Sequence, residues 1–147
     1  MRIHITAGIL LTAVGATFAF AQNVTVIKER KSHYEAMGKA TKEPTAMFKG
    51  NAKFDLAKVQ AAIKTIQEKA AIIPKLFPDD TKTGGDTEAL PAIWDNKADF
   101  EERFKKLADA AKTAETTITD EATFKTEWPV LGGNCSGCHK KYRKEKK

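Results

Sequence analysis

The chain has 147 residues, with 25 Lys and Arg against 19 Asp and Glu, a formal net charge of +6, and 41% hydrophobic residues. That length suits one domain around one core, and an ordinary apolar share excludes intrinsic disorder. Nine Gly and five Pro exclude collagen-like and Pro-rich chains, and two Cys are too few for a disulfide-stapled miniprotein.

Residues 1–21 read as an export signal. Arg2 precedes an uncharged, largely apolar run from Ile5 to Phe20, and small residues flank a cut at Ala19-Phe20-Ala21, just before Gln22. The alternative is a retained membrane anchor. The run is short for a spanning helix, and no later segment reaches the ~18 consecutive apolar residues that such a helix needs. The expectation is a cleaved signal peptide (1–21), a periplasmic domain over 22–147 and no stable membrane insertion.

Four stretches follow with helical periodicity. The first runs from about Val26 to Phe48, with Val26, Ile27, Tyr34, Met37, Ala40, Met47 and Phe48 at its apolar positions and Pro44 as a kink or break. The second opens at Asp55 as N-cap. Its positions Leu56, Val59, Ile63, Ile66, Ala70 and Ile73 alternate steps of three and four, which is one helix face. Pro74, Pro78 and Gly84-Gly85 then punctuate a long connection to about Asp95. A connection of that length inside a small bundle is often functional.

The third helix begins near Asp95 or Asn96 and carries Phe100, Phe104, Leu107, Ala111, Ala114 and Ile118 on one face. The fourth opens at Thr119 or Asp120 and carries Phe124, Trp128, Leu131, Cys135, Cys138 and Tyr142, although Pro129 and Gly132-Gly133 weaken the pattern locally. Amphipathic helices with little strand character predict an all-α, antiparallel four-helix bundle.

The informative motif is Cys135-Ser136-Gly137-Cys138-His139, the C-x-x-C-H attachment signal for c-type haem. On a helix, residues three and four apart share a face. Cys135 and Cys138 can therefore bond the two vinyl groups of one macrocycle, with His139 under the iron as proximal ligand. Ser136 and Gly137 leave room for the ring, and Gly132 and Gly133 keep bulk low one turn earlier. Attachment of this kind occurs outside the cytoplasm, in agreement with the export signal. Two other readings stay open. A structural or redox disulfide of the thioredoxin type wants a βαβ context, which is missing here. A zinc site wants four ligands, which His33 would have to help complete.

Three segments carry a resemblance to the class II c-type cytochromes, the cytochrome c′ family. They are Cys135 to Arg143, with C-x-x-C-H near the C-terminus; Ile27-Lys28-Glu29-Arg30-Lys31; and Gly84-Gly85-Asp86-Thr87 followed by Pro91, Ile93 and Trp94. The resemblance implies a left-handed, antiparallel four-helix bundle that holds one haem c between its helices. It implies cofactor-binding roles for Arg30, Lys31, Asp86 and Thr87, with Arg30 toward a propionate by charge-assisted hydrogen bonds. Asp86 is expected to organise its loop by accepting backbone N–H groups. Arg143 either acts on the proximal side or is a solvated terminal charge.

The residue four after Arg30 faces the distal side of the iron in this family. Here it is Tyr34, read as a distal wall, with Met37 one turn on as the alternative axial ligand and His33 as a third choice. Phe48, Phe77, Phe100, Phe124 and Trp128 are further wall residues, or simply core. The resemblance also implies a homodimer through the first two helices.

The function these readings support is periplasmic electron transfer by a single covalent haem, with acidic redox partners steered by Lys140, Lys141 and Lys144. The alternative is a five-coordinate haem protein that binds nitric oxide or carbon monoxide as scavenger or sensor. A haem-free helical bundle is a third reading. Catalysis is not expected: no Ser/His/Asp set, phosphate-cradling Gly loop or paired-carboxylate site is apparent. Nucleic-acid binding is discounted because the Lys residues are interspersed with Glu and Asp.

Overall fold

The Leu56 helix starts where Asp55 leaves the extended region and its Oδ1 accepts the Lys58 N–H at 3.2 Å. The last helix starts at a full capping box, in which Asp120 and Thr123 each satisfy the other's backbone N–H. Local signals of this kind, worth ~1 kcal/mol each, set the helix starts. The structure is a computed structural model that describes the backbone of residues 14–145 and the side chains of residues 23–145. It contains α1 (Val14–Phe48), α2 (Leu56–Ile72), a single-turn α3 (Ala92–Asp95), α4 (Lys97–Thr117) and α5 (Glu121–Tyr142). Two short 3-10 turns, Ile73–Leu76 and Asp79–Thr81, lie in the long connection. The export segment expected at 1–21 lies outside the residues whose side chains are described.

Neither Pro44 nor Pro129 breaks its helix; α1 runs on to Phe48 and α5 to Tyr142. Pro44 is itself buried, so packing holds the turn that its missing N–H weakens. What ends α1 is Gly50, in the left-handed region at φ +76°. Its N–H bonds Met47 O at 3.0 Å and the Asn51 N–H bonds Ala46 O at 2.8 Å, a Schellman closure.

The α2 face predicted from spacing is the buried one: Val59, Ile63, Ile66, Ala70 and Ile73, joined by Ala62. It packs against α1 and α4, while α5 packs against α4. On α4, Phe100, Phe104, Leu107, Ala111 and Ala114 are buried, as is Ile118 just beyond it. The helices α1 and α5 barely touch. That gap in the ring of helices is where the site lies. No helix among the described residues is long and apolar enough to cross a membrane.

Candidate haem-binding site

A cavity of about 530 Å³ opens between α1 and α5, within the range of cofactor sites. Cys135, Cys138 and His139 line it from α5; Arg30, Lys31, Tyr34 and Met37 line it from α1. Phe100, Phe104 and Leu107 of α4 form its apolar back, and Asp86 and Thr87 reach it from the long connection. Arg30, Lys31, Tyr34, Met37, Asp86, Thr87, Cys135, Cys138 and His139 therefore meet in one place, although Arg30 and Cys135 lie in the first and last helices.

The α5 wall follows from helical geometry. Cys135 and Cys138 are half-buried free thiols, with no disulfide between them, and His139 sits at the exposed rim. Burial pushes both thiols up from their ordinary range; at Cys138 the Arg103 guanidinium opposes that shift. Among the described residues, no group of three or more His, Cys, Asp or Glu is placed to hold a metal ion. The zinc reading thus finds no ligand set. His33 stands outside the cavity lining, 3.8 Å from Glu29 Oε1 on its own helix. The small residues are placed differently from the expectation: Gly132, Gly133, Ser136 and Gly137 lie on the exposed side of α5, and Asn134 lines the cavity instead.

On the α1 wall, Arg30 is only 3% exposed. Its Nη1 donates to Leu76 O and Thr81 Oγ1, both at 3.2 Å, and its Nη2 to Thr87 Oγ1 at 3.0 Å. The guanidinium also lies 4.2 Å from the Phe77 ring centroid, in cation–π range. None of these partners among the described residues is a carboxylate, and burial pushes the guanidinium down from its ordinary value. A buried cation at a cavity wall without an anion is costly, so the site suits a ligand that brings negative charge. Two thiols, an imidazole and an unneutralised arginine around one apolar cavity match a porphyrin with vinyl groups, an iron and propionates.

Tyr34 and Met37 both face the cavity, one helical turn apart. Burial and the Cys138 thiol push the Tyr34 phenol up, against a smaller downward pull from Arg30 and Arg143, so it stays protonated. Its ring packs on Phe104 with centroids 6.4 Å apart.

The long connection closes one end of the cavity. Gly85, at φ +61°, lets the loop press onto α1: a Cβ there would meet Ile27 Cδ1 at 3.3 Å. Further on, the Leu90 N–H bonds Tyr142 O at 3.0 Å and the Lys144 N–H bonds Glu88 O at 2.8 Å. The loop thus clasps α1 to the end of α5. Asp86 departs from its expected role: its partner is the Lys31 ammonium rather than backbone N–H groups, and that ion pair is solvent-exposed. The pair holds the Asp86 carboxyl below its usual range. Arg143 is not a free terminal charge; its Nε donates to Glu88 Oε2 at 2.6 Å.

Among the aromatic wall residues, Phe77 and Phe100 line the cavity. Phe48, Phe124 and Trp128 do not; with Phe54 they build an aromatic cluster elsewhere in the bundle. Sequence reasoning missed Thr81, which is fully buried and braces Arg30, and Arg103, which lines the cavity from α4. Arg103 carried a signal: it sits one position before Phe104 on a periodic face and four after Asp99. Thr81 carried none.

The sequence profile described as Cytochrome C′ matches residues 25–143. Cytochrome c′ of Rhodopseudomonas palustris is 48% identical over 146 residues, spanning 99% of this chain and 98% of that protein. A cytochrome c-556 of Agrobacterium fabrum is 34% identical over 97% of this chain and 95% of its own length. The solved cytochrome c′ from Rhodopseudomonas palustris superposes with a TM-score of 0.81 at 49% identity, covering 83% of this chain and 98% of that one. The bundle, the cavity and these likenesses agree, and the chain belongs to the cytochrome c′ family of haem proteins, which carry electrons or bind gases.

Proposed function

We propose that the protein is an exported electron carrier with one haem c. Cys135 and Cys138 hold the group by two thioethers, His139 is the proximal iron ligand, and Arg30, braced by Thr81 and Thr87, receives a propionate. The observation that carries this reading is the single cavity in which the two thiols and the imidazole of α5 face a buried arginine that has no carboxylate. When bound, the haem supplies a one-electron iron couple. The chain's residues fix it and exclude water: Phe77, Phe100, Phe104 and Leu107 supply an apolar wall, and burial of this kind tunes the couple. Lys31 and Asp86 hold the loop over the propionate side.

The export pattern of residues 1–21 supports a periplasmic location with cleavage before Gln22. Lys140 remains the simplest steering charge for an acidic partner. Lys141 and Lys144 are already engaged, by Asp99 and by the Thr87 carbonyl.

A specific observation favours the gas-binding reading as a second role. Tyr34, which the family resemblance assigns to the distal side, lines the cavity as a neutral phenol and would be a weak iron ligand, with Met37 one turn away as the alternative. A small neutral diatomic ligand would fit beside Tyr34 and Phe104.

One experiment tests both. The matured protein is run on a denaturing gel stained for covalent haem, and its absorption spectrum is recorded oxidised and reduced, with and without carbon monoxide. A stained band is expected. A low-spin spectrum that ignores carbon monoxide means that a side chain, Met37 or His33, fills the sixth position and makes the protein a carrier alone. A high-spin reduced form that takes up carbon monoxide adds gas binding. A colourless protein with two alkylatable thiols overturns the proposal.

A further inference from the structure

One polar cluster beside the cavity lies outside the residues assigned above to hold the macrocycle. On α4, Asp99 Oδ2 accepts three donors: Arg103 Nε at 2.9 Å, Lys141 Nζ at 3.0 Å and the Tyr142 hydroxyl. The Arg103, Tyr142 and Lys141 hydrogen bonds hold this carboxyl well below the usual carboxylate range. The cluster is therefore one anion between two cations, with one positive charge in excess. Two of its members belong to α5, within three residues of His139.

Of the charged members, Arg103 is the one that lines the site, beside Tyr142. It lines the cavity and also a neighbouring groove of about 260 Å³, which it shares with Asp99, Gly133, Asn134 and Gly137. Its Nη1 lies 3.8 Å from where a Cβ on Gly137 would sit, so the guanidinium rests on the segment between the two cysteines. Its Cζ is 5.7 Å from the Tyr142 ring centroid. A lone Asp-Arg pair four apart on an exposed helix face is worth little and wanders. This one is pinned from the facing helix, because Tyr142 is only 3% exposed and bonds the same oxygen.

We propose that Arg103 is a tuning residue that raises the reduction potential of the haem, and that Asp99 and Tyr142 are positioning residues that hold its guanidinium at the Cys138 edge. The inference rests on the haem reading of Cys135, Cys138 and His139. The sign follows from charge. Reduction adds one electron and removes one positive charge from the iron, so a fixed cation nearby favours the reduced form. A unit charge acting across ~10 Å at an effective dielectric of ~20 is sufficient for roughly a tenfold effect, and partial exposure of the side chain reduces it.

The test measures midpoint potentials of the haem-bearing protein by mediated optical titration for the native chain, Arg103→Gln, Arg103→Lys and Asp99→Asn. At the native midpoint, Arg103→Gln is expected to move the oxidised-to-reduced ratio about three- to tenfold toward oxidised, where tenfold is ~59 mV for one electron. Arg103→Lys keeps the charge and should stay near native. Asp99→Asn removes the anion but keeps an amide oxygen that can still accept from Arg103, so the guanidinium stays in place and the potential should shift the other way. Unfolding midpoints are recorded alongside. A purely structural role lowers stability in Arg103→Gln and Asp99→Asn alike and leaves the potentials together; that pattern, or shifts of the same sign, overturns the proposal. Haem staining of each sample separates the two levels: a native chain without haem sinks the functional reading itself, whereas haem-bearing variants of equal potential sink only the tuning role.

Discussion

Between α2 and α4 the bundle is closed by Val59, Ala62, Ile63 and Ile66 against Leu107, Ala111 and Ala114, all of them buried. Between α1 and α5 it is held apart by a cavity of about 530 Å³ whose walls mix thiols, a phenol and an arginine with apolar rings. The first seam is complete as it stands. The second leaves room for the proposed haem. The same fold thus keeps a self-sufficient scaffold on one side and a socket on the other, and stability should divide between them according to whether the socket is filled.

The largest expected effect breaks the socket alone. Replacing both thiols, Cys135→Ser with Cys138→Ser, should abolish haem staining on a denaturing gel and lower the thermal midpoint, while far-ultraviolet circular dichroism still reports a helical protein. Collapse to an unfolded chain would show that the scaffold does not stand by itself. Next comes the scaffold: Ile63→Ala leaves a hole in a closed seam and should cost about 2–5 kcal/mol. Denaturant unfolding should give the same loss in the native background and in the thiol-free one, because Ile63 lies outside the cavity lining.

Arg30→Met sharpens the contrast through its dependence on occupancy. In the haem-bearing protein it removes the bonds to Leu76 O, Thr81 and Thr87 and should cost roughly 1–3 kcal/mol. In the thiol-free chain the same change also relieves a buried cation that lacks an anion, so the loss should shrink toward zero. Equal losses in the two backgrounds, measured by denaturant titration, would mean that Arg30 serves the loop only.

The smallest effect is the one that disappears in acid. Asp99 has a depressed folded value, set first by Arg103 and then by Tyr142 and Lys141. A depressed carboxylate contributes stability that is fully present above its unfolded value of ~3.9 and is lost as pH falls through the folded one. Thermal midpoints of the native chain and Asp99→Asn should therefore differ above about pH 4 and converge in stronger acid. A gap that is constant across that range would remove Asp99 from the linkage.

Much of the scaffold was readable from spacing because a buried helix face repeats every three to four residues, and that repeat survives whatever lies opposite. The faces of α2 and α4 and the caps at Asp55 and Asp120 follow from this. Cys135, Cys138 and His139 stood out as a motif because the haem attachment proposed for them demands a fixed interval. The rest depended on partners distant in sequence. Phe124 and Trp128 share a periodic face with Tyr142, yet only Tyr142 reaches the cavity, because position along the helix axis decides which end of the bundle a residue serves. The backbone of Asp86 was readable as a turn, but Lys31, its partner, lies 55 residues away. Thr81 matters only because the loop folds back over Arg30. Pro44 and Pro129 are local penalties that tertiary packing overrides.

The two long walls of the socket come from opposite ends of the polypeptide. A pairing of such wide separation waits until both segments have emerged, since closing so long a chain segment carries its full entropic cost before any contact rewards it. The α2–α4 seam joins neighbours and can form earlier. Order of emergence therefore separates the two halves in time as well as in space: a framework can stand ready when the thiol-bearing segment, which follows it in the chain, arrives to be loaded.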